Sequence, residues 1–198
     1  MYKLAHYLRD KLPFIWDFVD WLNGLLFTLL YRERAKKLPN VLKEYSKDLE
    51  IVSLSDCKVS DLEQFFVAQP EESFKYFKPH GFDAQSLRKL QRNKAFLAYV
   101  VKSEDKIAGY FFLRSFFIGK AYLGKMVDCN HQGQGIGKMM CLCAMDMAET
   151  LGLRMFETIS RDNPASLHSS DSVLVTRIFK ELPDNYLYIE DIRKKDVA

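Results

Sequence analysis

Between Leu123 and Thr150 the chain reads LGKMVDCNHQGQGIGKMMCLCAMDMAET: a short apolar strand, a glycine-rich turn and a helix. The turn is Gln132-Gly133-Gln134-Gly135-Ile136-Gly137-Lys138, with glycine at alternate positions. Glycine permits positive φ and lets a ligand approach the backbone, because no Cβ stands in the way. Met139, Met140, Leu142, Cys143, Met147 and Leu151 then recur at helical spacing. The turn therefore presents N–H groups at a helix N-terminus, where the partial positive charge favours a phosphate.

Two familiar phosphate motifs do not fit. A Walker loop ends in Gly-Lys followed by Ser or Thr, and here Lys138 is followed by Met139. A dinucleotide fingerprint needs G-x-G-x-x-G, which glycines at 133, 135 and 137 do not supply. What the segment resembles is the coenzyme A loop of the GNAT-type acyltransferases, [Q/R]-x-x-G-x-[G/A], here Gln132-x-x-Gly135-x-Gly137. The alternative is an ordinary strand-to-helix turn.

The order of elements points the same way. Leu49–Leu54 alternates as a strand, Ser60-Asp61-Leu62-Glu63 opens a helix, and Asp83 caps another through about Asn93. Phe96–Val101 and Ile107–Phe117 form a hairpin, Ala121–Val127 feeds the glycine turn, and Leu153–Ile159 follows its helix. Val173–Glu190, broken at Pro183-Asp184-Asn185, reads as a second hairpin. This order resembles GNAT over residues 48–192. It implies an α/β fold: a mixed, mostly antiparallel central sheet flanked by helices, with an extra N-terminal amphipathic helix. Two units are expected, a helical extension over 1–40 and the acyltransferase domain over 41–198.

The resemblance implies acetyl-CoA as acyl donor, with backbone from Gln132 to Lys138, Gly133, Gln134 and Ile136 included, holding its pyrophosphate. It further implies that Gln132 braces the loop and that Met126 and Val127 pair with the pantetheine arm and polarise the thioester carbonyl. Asn163-Pro164-Ala165-Ser166 matches the family's Asn-x-x-[A/S], so Asn163 is expected to contact the arm; it also reads as a helix N-cap with Pro164 at the first position. The Tyr that many members carry about seven residues later is absent: the segment is Leu167-His168-Ser169-Ser170-Asp171. His168, Ser170 or water is left to protonate the thiolate.

For the acceptor, Phe77-Lys78-Pro79-His80-Gly81-Phe82, Gly109–Arg114 and Tyr186–Glu190 together resemble a GNAT subgroup found with bacterial surface-polysaccharide genes. That resemblance implies an amino sugar or sugar hydroxyl on a nucleotide- or lipid-linked donor. His80 is the expected base, since histidine titrates near neutrality, or else a loop ring packed between Phe77 and Phe82. Arg114 either binds an acidic group of the acceptor or lies on the exposed hairpin face.

Residues 12–31 carry Phe14, Phe18, Trp21, Leu22, Leu25, Leu26, Leu29 and Leu30 as an apolar stripe, broken by Asp17, Asp20 and Asn23. Lys3, Arg9 and Lys11 precede it; Arg32, Arg34, Lys36 and Lys37 follow. The acidic face argues against a bilayer-crossing helix. The stripe is expected to pack on its own domain, on a second copy, or on an anionic membrane, and Leu38-Pro39-Asn40 is expected to end the unit.

A chain of 198 residues with 48% hydrophobic and 14% aromatic residues can fill one full domain core. A net charge of +3 does not by itself argue for nucleic acid. Cys57, Cys129, Cys141 and Cys143 have no metal-ligand spacing and read as reduced thiols. With no leader cleavage site after the first apolar run, the expected location is cytoplasmic, including the inner face of the membrane. The rival class is a non-catalytic, coenzyme-binding GNAT-like module anchored by its N-terminal helix; within enzymes, the rival is transfer of a longer acyl group.

Overall fold

A computed structural model describes residues 13–46 and 49–194. In chain order the elements are α1 (Pro13–Ala35), α2 (Leu38–Tyr45), β1 (Glu50–Ser53), α3 (Val59–Val67), α4 (Ala84–Arg92), β2 (Phe96–Ser103), β3 (Lys106–Phe116) and β4 (Lys120–Val127). Then come α5 (Ile136–Leu151), β5 (Arg154–Ser160), α6 (Pro164–Asp171), β6 (Leu174–Leu182) and β7 (Tyr186–Arg193). The strands form one sheet in the order β1-β2-β3-β4-β5-β7-β6, antiparallel except where β4 meets β5. The expected mixed, mostly antiparallel sheet flanked by helices is what the chain forms.

Two large cores pack on the two faces of the sheet, and a small third cluster of Ile159, Leu187 and Ile189 packs against Leu167. On the front, α3 and α4 bury Leu62, Phe66 and Leu87 against Val100, Tyr110 and Phe112. On the back, α5 buries Met140, Cys143, Ala144 and Met147 against Tyr99, Phe111 and Leu123. Alternation along β3 sends Tyr110 and Phe112 forward and Phe111 and Leu113 backward. At 0% exposure, both Tyr110 and Phe111 are core residues, so this strand is apolar on both faces.

Local chemistry accounts for the helix ends. Asp83 Oδ1 accepts from the Gln85 and Ser86 N–H groups, the capping read from sequence. Helix α3 begins at Val59, one residue before Ser60, and its N-cap Lys58 makes no side-chain cap. Helix α1 ends at Ala35, and the Leu38-Pro39 step starts helix α2. Proline fits the first helical turn, where its missing N–H has no intrahelical partner to lose.

Helix α1 docks on the domain. Phe27, Tyr31 and, at the start of α2, Leu38 lie in the back core, each burial worth roughly 1.5–3 kcal/mol. Asn23 Nδ2 donates to the Ser115 carbonyl (3.0 Å) and its Oδ1 accepts from the Phe117 N–H (3.1 Å). Arg34 Nη1 caps the Leu151 carbonyl at 2.8 Å. The opposite face is exposed and apolar: Phe18, Trp21 (61%), Leu22, Leu25, Leu29 (70%) and Leu30. Lys3, Arg9 and Lys11 lie outside the described residues. No helix among the described residues is long and apolar enough to cross a membrane.

Candidate active site

Strands β4 and β5 stay together for only three pairs: Lys120–Arg154, Ala121–Met155 and Tyr122–Phe156. Beyond these, β4 follows β3 to Val127 while β5 follows β7 to Ser160. A wedge opens between their facing edges; five residues of β4 beyond Tyr122 make it ~17 Å deep at ~3.3 Å per residue. The Asp128 N–H bonds the Ala108 carbonyl on β3 (3.0 Å), so alternation along the strand turns the Lys125 and Val127 peptide groups into the wedge. Met126 turns its backbone toward β3 and its side chain, 6% exposed, into the front core.

The glycine turn sits at the mouth of the wedge. Gly133 (φ 77°) and Gly135 (φ 82°) occupy the left-handed region, and a Cβ on either would meet nothing within 4 Å. Their conformation demands glycine, and the space beside them is open to a ligand. The first helical bond of α5 runs from the Met139 N–H to the Gly135 carbonyl. The Ile136, Gly137 and Lys138 N–H groups therefore precede the ladder and point out of the helix end. Gly137 has helical backbone and room for a side chain: a Cβ there would lie 3.4 Å from Ser169 Cβ on α6, an ordinary contact.

The turn is braced by two residues that the sequence reading missed. Gln69, after α3, donates from Nε2 to Asp128 Oδ1 (2.7 Å) and to the Phe65 carbonyl, while its Oε1 accepts from the Cys129 N–H (3.1 Å). Asp128 Oδ2 accepts from the Asn130 N–H (3.0 Å) and lies 2.7 Å from His131 Nδ1. Burial pushes the Asp128 carboxyl up, but hydrogen bonds from Gln69, His131 and Asn130 outweigh it and hold it below the usual value. Gln132, Gln134 and their glycines are exposed on the loop, so the bonds that brace it come from Gln69 and Asp128. Asp-x-x-His before the glycines was the available sequence signal.

Behind the wedge lies a buried ionic cluster. Lys125 Nζ contacts Glu157 Oε2 (2.7 Å) and Ser170 Oγ (3.0 Å), and Ser170 donates to Glu157 Oε1 (2.8 Å). Ser170 is fully buried, 3.6 Å from Cys141 Sγ. Burial opposes the Lys125 charge, yet Glu157 more than compensates and holds the ammonium well above its ordinary range. Asp191 is 4% exposed and neither carboxyl oxygen has a hydrogen-bond partner among the described residues; burial and the Glu157 charge drive its carboxyl strongly up. Asn163 Oδ1 accepts from the Ser166 N–H (3.1 Å), the N-cap role, with Pro164 opening α6.

On the front face, His80 stands among aromatic rings. Its Nδ1 is 2.8 Å from the Gly81 carbonyl and its Nε2 2.9 Å from the Tyr110 hydroxyl. A carbonyl only accepts, so Nδ1 carries the proton and Nε2 accepts from Tyr110. Burial beside Phe66, Phe82 and Phe112 pushes the imidazole down to about 4. Both nitrogens are engaged and the ring is neutral at pH 7. Arg114, beside Tyr122 in register, reaches Asp20 of α1 at 3.4 Å and lies over the Phe116 ring.

A sheet split between parallel strands, with the open N–H groups of a helix end at its mouth, has the architecture of a coenzyme-A-dependent acyltransferase. Residues 56–169 match the model of the acetyltransferase (GNAT) family, more than half of the chain, and the chain belongs to that family. It is an acetyl-CoA-dependent acetyltransferase. A comparison with curated protein sequences returns no match. Among solved structures, it is similar to a spermidine N-acetyltransferase SpeG chimera from Vibrio cholerae and hSSAT (TM-score 0.58, 18% identity, 76% of this chain and 98% of that one). It is similar also to the Vibrio cholerae spermidine N-acetyltransferase in complex with CoA and spermine (0.55, 17%, 73% and 93%). A third is the Campylobacter jejuni N-acetyltransferase PseH (0.55, 14%, 75% and 99%). These likenesses are likenesses of fold.

Proposed function

We propose that the protein transfers an acetyl group from acetyl-CoA to an amine or hydroxyl of a small acceptor, an amino sugar of a surface-polysaccharide precursor, by direct attack in a ternary complex. The observation that carries this reading is the wedge between β4 and β5, with the glycine turn at its mouth and the stacked, half-buried Tyr122 and Tyr188 at its closed end. The likeness to PseH of Campylobacter jejuni, an N-acetyltransferase, is compatible with it.

In this reading the Ile136–Lys138 N–H groups, with Gly133 and Gly135, hold the pyrophosphate. Inward backbone at Lys125 and Val127 pairs with the pantetheine arm, and an inward N–H polarises the thioester carbonyl as negative charge grows on its oxygen. The Asn163 amide, its oxygen serving the cap, offers its NH2 to the arm. His80 fixes the Tyr110 hydroxyl and the front wall, because an engaged, weakly basic nitrogen is poorly suited to draw a proton from the acceptor. Ser170, tied to Glu157 and Lys125, orders α6 beneath the arm. Outward residues of α1 make a second contact with a membrane surface or another copy of the chain, at the cytoplasmic side.

Calorimetric titration of acetyl-CoA into wild type and Gly135→Glu tests the reading. Glutamate places a side chain and a negative charge where the pyrophosphate would sit. Binding in wild type that vanishes in the variant supports the turn as the coenzyme site, and thiol release with amino sugars follows. Equal binding in both removes the turn from the site. The missing Tyr near Ser170 favours one rival, a non-catalytic coenzyme-binding module; binding without thiol release from any acceptor would support it.

A further inference from the structure

At the closed end of the wedge, Tyr122, Phe156 and Tyr188 form a stacked group. Tyr188 lies 5.2 Å from Phe156 and 6.0 Å from Tyr122, within 18° of parallel, and the two tyrosine hydroxyls are 3.1 Å apart. Phe179 meets Tyr188 edge-on at 5.5 Å and is 56% exposed. It is raised there by the register break between Ile178 and Lys180, since a bulge re-aims the side chain it inserts. Among the described residues, no helix packs on this front quarter: α3 and α4 bury β2, β3 and Met126.

Charge on this face is one-sided. Register puts Lys120, Arg154, Arg177 and Lys180 on the same side as Tyr122, Phe156, Glu190 and Tyr188. Lys120 Nζ and the Arg154 guanidinium sit 5.4 and 5.2 Å from the Phe156 centroid. Among the described residues of β4 to β7, the carboxylate on this face is Glu190, already bonded to Arg154 at 2.6 Å. Its carboxyl is held low first by the Arg154 hydrogen bond, with Arg177 and Lys120 adding to it against burial. Glu157 and Asp191 belong to the opposite face.

Resting on the acetyltransfer reading above, we infer that this face is the acceptor subsite and that it takes a phosphate-bearing amino sugar. The ring lies on Tyr122, Tyr188 and Phe179, and the phosphate meets Lys120, Arg154 and Arg177. A polyamine is excluded by the same geometry, because it would bring ammonium groups against four cations and a carboxylate already paired. The sugar's C–H face suits an aromatic surface, and its phosphate suits guanidinium forks.

The test uses glucosamine 1-phosphate, glucosamine and spermidine as probes on the full chain, by calorimetry with coenzyme A present and by thiol release from acetyl-CoA. Glucosamine 1-phosphate is expected to bind at least tenfold more tightly than glucosamine, which is ~1.4 kcal/mol, with spermidine weakest. Arg177→Gln and Lys120→Gln, both at exposed or half-exposed positions, should each remove most of that preference and leave acetyl-CoA binding unchanged. Preference for spermidine or for unphosphorylated glucosamine, with acetyl-CoA still bound, overturns the subsite and leaves the acetyltransfer reading standing. If acetyl-CoA does not bind, that reading falls. The phosphate site is then judged alone: binding lost in Arg177→Gln supports it, and unchanged binding overturns it.

Discussion

The Gln69 side-chain amide reaches Asp128 across 2.7 Å and 59 residues of sequence, tying the end of α3 to the corner where β4 turns into the glycine loop. The same amide satisfies the Cys129 N–H. Gln69→Leu would leave that N–H and one Asp128 oxygen without their partner, a cost of roughly 1–3 kcal/mol. Thermal unfolding should record the loss, and acetyl-CoA binding should weaken alongside it, because the loop entry is no longer held. Unchanged binding in a destabilised variant would limit Gln69 to folding.

The three glycines of the turn should respond differently. Gly133→Ala and Gly135→Ala force a Cβ into left-handed backbone, costing roughly 1–2 kcal/mol each. Gly137→Ala keeps helical geometry, gains helix propensity of up to ~1 kcal/mol and meets Ser169 at ordinary contact distance. Denaturant midpoints would show two losses and one near-neutral change. Three equal losses would mean that the packing of α5 on α6, not backbone conformation, dominates.

His80 gives the fold an acid-sensitive limb. Burial lowers its imidazole from 6.5 to about 4 in the folded chain, so the unfolded state binds the extra proton first. The stabilisation is complete above about 6.5 and is lost as pH falls toward 4, by at most roughly 3 kcal/mol, less for solvent screening of a half-buried ring. His80→Gln should be less stable at pH 7 but show a shallower decline between pH 6.5 and 4. Parallel curves for the two proteins would assign the acid limb to other groups.

Asp191 works in the opposite direction. Its carboxyl is driven up by burial and by Glu157, so the folded state keeps a proton that the unfolded state releases. Stability from this group is present below about 4 and declines as pH rises toward the raised folded value. Asp191→Asn removes that decline and should stabilise the protein at pH 7 by roughly 1–3 kcal/mol, with the advantage growing from pH 5 to 8. A variant less stable at every pH would show that the carboxylate is needed by Lys125.

Both tryptophans of the chain, Trp16 and Trp21, lie in α1, and Trp21 is 61% exposed. Phosphatidylglycerol vesicles should shift their fluorescence to the blue and sediment the protein, while phosphatidylcholine vesicles do so weakly. Leu25→Glu with Leu29→Glu should abolish both effects without unfolding the domain. A blue shift that follows protein concentration and needs no vesicles would indicate pairing of two copies.

The turn and its elements were legible because their signals are local. Alternating glycines, an apolar strand before them and a helical stripe after them lie within 28 residues, and β-alternation and capping are properties of neighbours. Asp83 and Asn163 capped as their spacing implied. At Leu38-Pro39 the local signal is ambiguous, since proline follows one helix and opens the next with equal ease; here it opens α2.

The side-chain partners were another matter. Gln69 and Asp128, or Lys125, Glu157 and Asp191, are tens of residues apart and carry no periodic mark. Their meeting depends on where β4 leaves β5, and so do the aromatic stack at the closed end of the wedge and the cations around Glu190. His80 illustrates the division. Its identity made it an acid–base residue on paper, and burial against Phe66, Phe82 and Phe112 made it a neutral hydrogen-bond acceptor for Tyr110. The sequence by itself determined the family, the glycine turn and the apolar helix α1, through local pattern. The tertiary structure alone decided which backbone groups face the wedge, which charges are paired and which face lies open, because desolvation and charge pairing exist only once distant segments are packed together.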